Sequence, residues 1–353
     1  MADDARWMAA ALALAERTRG HTAPNPNVGC VIVKDGRAVG RGWTQPGGRP
    51  HAEAMALDRA GEESRGATCY VTLEPCAHQS SRGPACSDLL VAAGVARVVV
   101  AMRDPDERTN GAGLERLEAA GIGTKTGAGA DAAARLMAGF LTRRRFGRPH
   151  VTLKLATSLD GCIALASGES RWITGPEARA HAHLERARHE AILVGRGTWE
   201  ADAPRLDVRL AGLAARAPAR VVLSSRPHPS AALRAAPSLS QREREGAGPA
   251  EPGGKGEDGM IWLSALAAIA TLPGDNLLVE GGAATAASFL RADLVDRLFL
   301  YRAPILLGGG RPALGDLGLT TLTEAHGRWH LADARALGID RLEVYERVRQ
   351  QDR

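Results

Sequence analysis

The sequence predicts two consecutive α/β units. Three observations predict them. Short apolar runs alternate with helical periodicity through both halves. A chain of 353 residues is long for one hydrophobic core. A boundary fits near Arg148-Pro149, after which a second strand–helix series begins.

The first series opens with an amphipathic helix, Asp4 to Arg17, stopped at Gly20. Val28 to Lys34 is an apolar strand, Asp35-Gly36 a hairpin turn and Arg37 to Gly42 the return strand. His51 to Ala60 is helical and stops at Gly61. Thr68 to Leu73 is a buried strand, Cys86 to Ala93 a helix and Arg97 to Met102 a strand. Gly113 to Ala120 is a helix, Ile122 to Thr126 a short strand and Ala130 to Arg145 a closing helix. Strands separated by helices imply a sheet covered on both faces.

The second series has strands at Val151 to Ala156, Ala191 to Gly195, Arg220 to Ser224, Asn276 to Glu280, Arg297 to Arg302 and Leu342 to Tyr345. Helices fit at Pro176 to His189, Ser264 to Ala270 and Ala283 to Arg291. The stretch 226–259 is rich in Ser, Pro, Gly, Glu and Arg and reads as a mobile insertion. Two domains follow, 1–146 and 149–353.

Composition excludes several classes. No apolar run approaches the length of a membrane span. The acidic start, Met-Ala-Asp-Asp, lacks the basic region of a secretory signal. Five cysteines, two of them in a metal pattern, argue for a reducing, cytoplasmic setting rather than a disulfide framework. The dense basic run Arg143-Arg144-Arg145-Phe146-Gly147-Arg148 reads as a solvated face. With aromatics at only 4%, the chain lacks the stacking platforms of a nucleic-acid binder.

The chemistry enters with His51-Ala52-Glu53, then Pro75-Cys76 and Cys86. Zinc deaminases use H-x-E followed by P-C…C, the Glu shuttling protons without binding the metal. His51, Cys76 and Cys86 are therefore the expected zinc ligands and Glu53 the catalytic residue. Three protein ligands keep a fourth position for water, whose pKa the ion lowers. Cys86 opens a helix, where the dipole favours a thiolate. His78 is expected to face substrate, the alternative being a competing metal ligand. Cys30, Cys69 and Cys162 read as small buried apolar residues.

The second half carries no G-x-G-x-x-G after a strand, so a Rossmann domain is not supported. Gly281-Gly282 between a strand and a helix of small residues is either an ordinary turn or a place where phosphate meets backbone N–H groups.

Several segments together resemble the bifunctional deaminase/reductases of riboflavin biosynthesis. They are Ala23-Pro24-Asn25-Pro26-Asn27-Val28-Gly29-Cys30, His51-Ala52-Glu53, Tyr70 to Cys76, Lys154-Leu155-Ala156 with Ser158-Leu159-Asp160-Gly161, Ala166 to Thr174, Val279-Glu280-Gly281-Gly282, and Ala303 to Gly309. The resemblance implies a cytidine-deaminase-like domain, a mixed sheet covered by helices, followed by a dihydrofolate-reductase-like α/β domain. It implies Zn2+ and NADPH as cofactors and a small phosphorylated pyrimidine as substrate, with no nucleic-acid or membrane partner and a homo-oligomeric state. The reactions implied are hydrolytic deamination of 2,5-diamino-6-ribosylamino-4(3H)-pyrimidinone 5′-phosphate and then reduction of its ribose to a ribityl chain.

By matched position, the resemblance assigns Asn25 to the pyrimidine. It assigns Ala156, Trp172, Thr198, Asp202, Ser225, Gly282, Ala283, Ala284, Thr285, Ala286, Ala287 and Ser288 to the dinucleotide. Ser170, Arg186, Leu206, Arg209 and Glu280 go to substrate. Arg186 and Arg209 suit its 5′-phosphate, and Ser225-Arg226 suits the cofactor's 2′-phosphate. Lys154 and Asp202 are proton donors or orienters, or else a structural ion pair. Some positions depart from the family pattern. Nine residues, not eight, separate Cys76 from Cys86, which bears on a phosphate role for Arg82. Thr44 stands where His is common, Ser224 where Asp is, and Ala138 where Asn is. The competing reading is a tRNA or free-nucleobase zinc deaminase with a non-catalytic C-terminal domain. A third reading makes the metal purely structural.

Overall fold

The computed structural model describes residues 2–78, 82–226 and 259–349. The expected insertion at 226–259 therefore lies, apart from its two end residues, outside the described residues, as do residues 79–81 of the loop between Cys76 and Cys86. The chain divides into two compact units, Met1–Gly147 and Arg148–Arg353.

In the first unit, β1 (Gly29–Lys34), β2 (Arg37–Trp43), β3 (Thr68–Val71), β4 (Arg97–Val100) and β5 (Gly123–Thr126) form one sheet in the order β2-β1-β3-β4-β5. β1 runs antiparallel to β2 and β3, and β3, β4 and β5 are parallel. Asp35 and Gly36 both have positive φ, 50° and 71°, as a two-residue type I′ hairpin requires. β3 stops at Val71, two residues before its expected end. Thr72 instead accepts the Gly29 N–H on its hydroxyl, and the chain is released toward Glu74 and Cys76.

The helices are α1 (Ala2–Ala15), α2 (Ala52–Ala60), α3 (Cys86–Ala93), α4 (Ala112–Ala119), α5 (Ala130–Leu136) and α6 (Ala138–Phe146). The single helix expected over Ala130 to Arg145 is broken at Met137, whose φ −97° and ψ 17° leave the helical region. Met137 is fully buried there, and Gly139 just beyond weakens continuation.

Glycines set how closely two helices approach the sheet. A Cβ on Gly29 would stand 1.9 Å from the Ala11 carbonyl of α1. On Gly40 and Gly42 it would stand 2.1 and 2.0 Å from the carbonyls of Ala56 and Ala52 in α2. Cys30 pairs with Gly42, and neighbouring residues on a strand face opposite ways. α1 and α2 therefore cover opposite faces of the sheet, and the depth of α2's first turn is set by bare backbone.

In the second unit, β6 (His150–Thr157), β7 (Cys162–Ala164), β8 (Ala191–Gly195), β9 (Ala219–Leu223), β10 (Ile261–Leu263), β11 (Asn276–Val279), β12 (Arg297–Arg302), β13 (Arg311–Pro312), β14 (Trp329–Leu337) and β15 (Asp340–Arg347) are described. Eight of them form a sheet in the order β10-β9-β8-β11-β6-β12-β15-β14, and β13 pairs with β7. The run from β10 to β12 is parallel, and β15 and β14 close it antiparallel. The parallel strands are nearly all apolar, as burial on both faces demands. Helices α7 (Pro176–Arg186), α8 (Arg196–Asp202) and α9 (Ala283–Arg291) follow strand ends.

Three expectations change here. α7 stops at Arg186, not His189, because the buried His189 turns back to the Glu185 carbonyl and the Thr152 hydroxyl. Ser264 to Ala270 becomes a 3-10 turn, Leu266–Thr271. β14 was not expected: it is exposed on both faces, so its sequence carries no alternation.

Gly42→Ala forces a methyl onto the Ala52 carbonyl. Overpacking of this kind costs about 1–3 kcal/mol. We expect a lower melting temperature and, because His51 caps α2 and Glu53 lies in its first turn, a lower zinc content per chain. Unchanged metal content in a folded Gly42→Ala protein contradicts the seating of α2.

Candidate active sites

His51 is the residue before α2, with extended backbone (φ −71°, ψ 162°), and Glu53 lies in the first turn. Cys86 is the first residue of α3 and Cys76 follows the end of β3. His51 Nδ1 lies 3.3 Å from Cys86 Sγ and 3.7 Å from Cys76 Sγ. The three ligand atoms all fall within 4.8 Å of one another. Tetrahedral zinc, with bonds of about 2.3 Å to sulfur and about 2.1 Å to nitrogen, separates such N and S atoms by roughly 3.6 Å. The observed distances bracket that value, so one imidazole and two thiols fit a zinc ion without rearrangement.

Local bonds hold the set. The Cys86 N–H donates to Cys76 Sγ (3.3 Å), and Ser87 donates both its N–H and its hydroxyl to the Cys76 carbonyl. Cys86 donates to Cys76, which lowers the Cys76 thiol to about 4 while the same bond raises Cys86. The arrangement thus favours a thiolate at Cys76, as a metal ligand needs. The Asn25 amide sits 3.0 Å from His51 Nε2 and donates to the Gly48 carbonyl, leaving Nδ1 turned to the sulfurs. Burial raises the Glu53 carboxyl to about 7, opposed by the His51 ring.

These groups open on a cavity of about 250 Å³. Glu53, Asn25 and His78 line it, and His78 Nδ1 is 3.5 Å from the Thr109 hydroxyl. Arg49 and Arg82 stand in its wall, with Arg82 bonded to the Gly47 carbonyl. Thr44 lines it too, but its hydroxyl accepts the Val28 N–H and so serves the backbone. The sequence reading missed the opposite wall. Asp106 there holds Arg108 (2.6 Å) and Arg144 (3.0 Å), and Asp104 is raised to about 6 by burial. The one signal available was Asp104-Pro105-Asp106, just past a parallel strand's carboxyl end, where α/β sites collect.

In the second unit, Glu280 follows β11 and is nearly buried. Arg186 binds it with two bonds, Nε at 2.7 Å and Nη2 at 3.0 Å, and also donates to the Asp207 carbonyl. Lys154 Nζ is 4.0 Å from the same carboxylate. Burial opposes ionisation of Glu280, but Arg186 and Lys154 outweigh it and hold the carboxyl at about 2. Lys154 thus pairs with Glu280 and not with Asp202, which is exposed at the end of α8. Arg209 reaches this cluster through His183, 3.3 Å from its Nε, and Leu206 is buried nearby in chain order with φ 53°. Burial and the two arginines lower the His183 ring.

Gly282 caps α9 and donates its N–H to the Thr198 hydroxyl at 3.2 Å, joining two of the expected dinucleotide residues. No acid stands in α9's first turn, and a Cβ on Gly281 would fall 2.6 Å from Thr285. A helix start stripped of side chains and acids fits a phosphate of NADPH. Ala286 and Ala287 turn their side chains into the core, Ala284 is exposed, and Ser288 bonds back to its carbonyl. Ala283 is half-buried, as is Ala156 on β6 beside Tyr301. Ser225 is exposed past β9, while Ser224 bonds Arg226. Ser170 and Trp172 lie on an exposed loop, with Arg179 stacked 4.7 Å over the Trp172 ring.

The model of the RibD C-terminal domain matches residues 149–341, and that of the cytidine and deoxycytidylate deaminase zinc-binding region matches residues 1–102. The riboflavin biosynthesis protein RibD of Escherichia coli K12 is 44% identical over 346 residues, covering 91% of this chain and 94% of that protein. The chain belongs to the RibD family. The RibD of Mycobacterium tuberculosis H37Rv is 41% identical over 333 residues, 92% of each chain. Acinetobacter baumannii RibD superposes with a TM-score of 0.81 at 37% identity, covering 98% of this chain and 99% of that one. A Thermotoga maritima diaminohydroxyphosphoribosylaminopyrimidine deaminase/5-amino-6-(5-phosphoribosylamino)uracil reductase does so with 0.80 at 29% identity, with the same coverage. The RibD match therefore spans both units, and the competing reading of a non-catalytic appendage on a nucleobase deaminase is overturned.

Glu280 supplies a pH test. Its folded value of about 2 lies below the ordinary 4.5, so its stabilisation is complete above that ordinary value and is lost as pH falls toward 2. The shift corresponds to about 3 kcal/mol. Denaturant unfolding should show a smaller acid-induced loss of stability in Glu280→Gln than in the natural chain. Equal acid slopes contradict the assignment.

Proposed function

We infer that this chain carries out two successive steps of riboflavin biosynthesis, hydrolytic deamination in the first unit and NADPH-dependent reduction in the second. The observation that carries this reading is the tetrahedral spacing of His51 Nδ1 and the Cys76 and Cys86 sulfurs around a cavity lined by buried Glu53. Zinc bound there supplies an acidified water, and NADPH in the second unit supplies a hydride for the sugar carbon.

The protein's own groups do the rest. Glu53 takes one proton of the attacking water and gives it to the ring nitrogen, then takes the proton of the newly added hydroxyl and gives it to the departing amine, which leaves as ammonia as the ring carbonyl forms. Asn25 orients the pyrimidine from beside His51. The guanidinium groups of Arg49 and Arg82 make the cavity mouth suit a 5′-phosphate. In the second unit, the half-buried Lys154 ammonium of β6, held beside the ionised Glu280 carboxylate at the end of β11, suits proton donation as the ribose opens. Arg186, already engaged by Glu280, positions that carboxylate, and the more exposed Arg209 is the freer phosphate partner. Five reduced cysteines, two of them needed as thiolates, fit a cytoplasmic setting. Among the described residues no helix is long and apolar enough to cross a membrane. The exposed edge strand β14, with Leu331 half exposed, supports a homo-oligomer.

Glu53→Gln should leave zinc bound while ammonia release falls by about 10²–10⁴-fold. NADPH oxidation with the deaminated pyrimidine should stay unchanged in the same variant. Cys86→Ser should lose the metal. Full deamination by Glu53→Gln overturns the mechanism, and ammonia release without NADPH oxidation by the natural chain overturns the second activity.

A further inference from the structure

Glu74 is buried, 2% exposed, between β3 and Cys76. No cationic side chain pairs with its carboxylate in the contacts described. Its partners are backbone amides of a distant loop and of the first turn of α4 that follows it. The Asp104 N–H reaches Oε2 at 3.2 Å, the Gly111 N–H reaches both oxygens at 3.0 Å, and the N–H groups of Gly113 and Leu114 reach Oε1 at 3.0 and 3.2 Å. A helix leaves its first N–H groups unsatisfied, and a nearby carboxylate also complements its dipole. The residue capping α4 is Gly111, which has no side chain to do this. Glu74 therefore caps α4 from the segment that follows β3. Contact is intimate: a Cβ on Gly113 would stand 2.0 Å from the Pro75 carbonyl.

The same carboxylate holds both ends of the segment 104–111. Between those ends lie Asp104, Asp106 and Arg108, all in the cavity wall, and Thr109, which contacts His78. Cys76 has separate supports, the N–H of Cys86 and both donors of Ser87. We propose that Glu74 is a positioning residue for substrate, fixing the 104–111 wall at the correct distance from the metal ligands, while the ligands themselves do not depend on it. This rests on the deaminase reading of the first unit.

Glu74→Gln keeps the shape but replaces one accepting oxygen with an NH₂ facing amide donors. The expected result is a KM for the pyrimidine phosphate raised roughly tenfold, the factor for about one lost charge-assisted bond. The kcat for ammonia release should stay within about twofold, one zinc should remain per chain, and NADPH oxidation should not change. An unaltered KM overturns the proposal, and so does loss of zinc, which would place the role on Cys76. Amide hydrogen exchange on the natural full-length chain is the second measurement, and it decides if the variant does not fold. The amides of Gly111, Gly113 and Leu114 should exchange as slowly as the interior of α4. Exchange at open-loop rates overturns the clamp. A natural chain that releases no ammonia marks failure of the deaminase reading instead, and the exchange result still stands or falls by itself.

Discussion

One imidazole nitrogen and two sulfurs, distant in sequence, must meet within the few ångströms that a single ion spans, and the first unit is built to bring them there. No one element carries all three. His51 precedes α2, Cys86 opens α3 and Cys76 hangs from the end of β3. Their meeting depends on backbone fit more than on side-chain packing. α2 rests on Gly40 and Gly42, where any Cβ would collide with helix carbonyls. β3 ends early because the Thr72 hydroxyl takes a backbone donor. Cys76 is then fixed by N–H groups at the start of α3, which satisfy helix donors and favour a thiolate at once.

The second unit solves a related problem with charge. Its central parallel strands, such as β8 and β11, are buried and largely apolar, so polar groups collect where they end. Glu280 at the end of β11 would be costly to bury alone. Arg186 from α7 and Lys154 from β6 offset that cost, and the three elements are joined at the place where chemistry is expected. The start of α9 shows the complementary solution. Gly281 and Gly282 bring no side chain to its first turn, and the Thr198 hydroxyl accepts the Gly282 N–H.

Much of this was legible in the sequence, and the failures have physical causes. The meeting of His51, Cys76 and Cys86 beside Glu53 was readable because those residue types admit few other uses in that order. Strand cores such as Ala191–Gly195 and Arg297–Arg302, and the helix Cys86–Ala93, were readable because burial imposes an apolar pattern. β14 was not, since a strand exposed on both faces has no pattern to show. The break at Met137 was hidden because Met suits a helix and only its burial demands the turn. The alternative of a Lys154–Asp202 ion pair fails because pairing across parallel strands is set by sheet order, which puts β6 beside β11 and Lys154 beside Glu280. Glu74, Asp106 and Arg108 were given no role for the same reason, and Arg144, read as part of a solvated basic face, instead pairs with Asp106 in the cavity wall. Their meeting depends on β4 lying beside β3.

The central claim is a three-ligand zinc centre with one open position, in a chain whose two units both belong to RibD. X-ray absorption at the zinc edge of the purified full-length protein tests it most directly. The account predicts two sulfur scatterers at about 2.3 Å and two nitrogen or oxygen scatterers at about 2.0–2.1 Å, one of the latter exchangeable with solvent. A shell of four sulfurs, or one holding no sulfur, would contradict it.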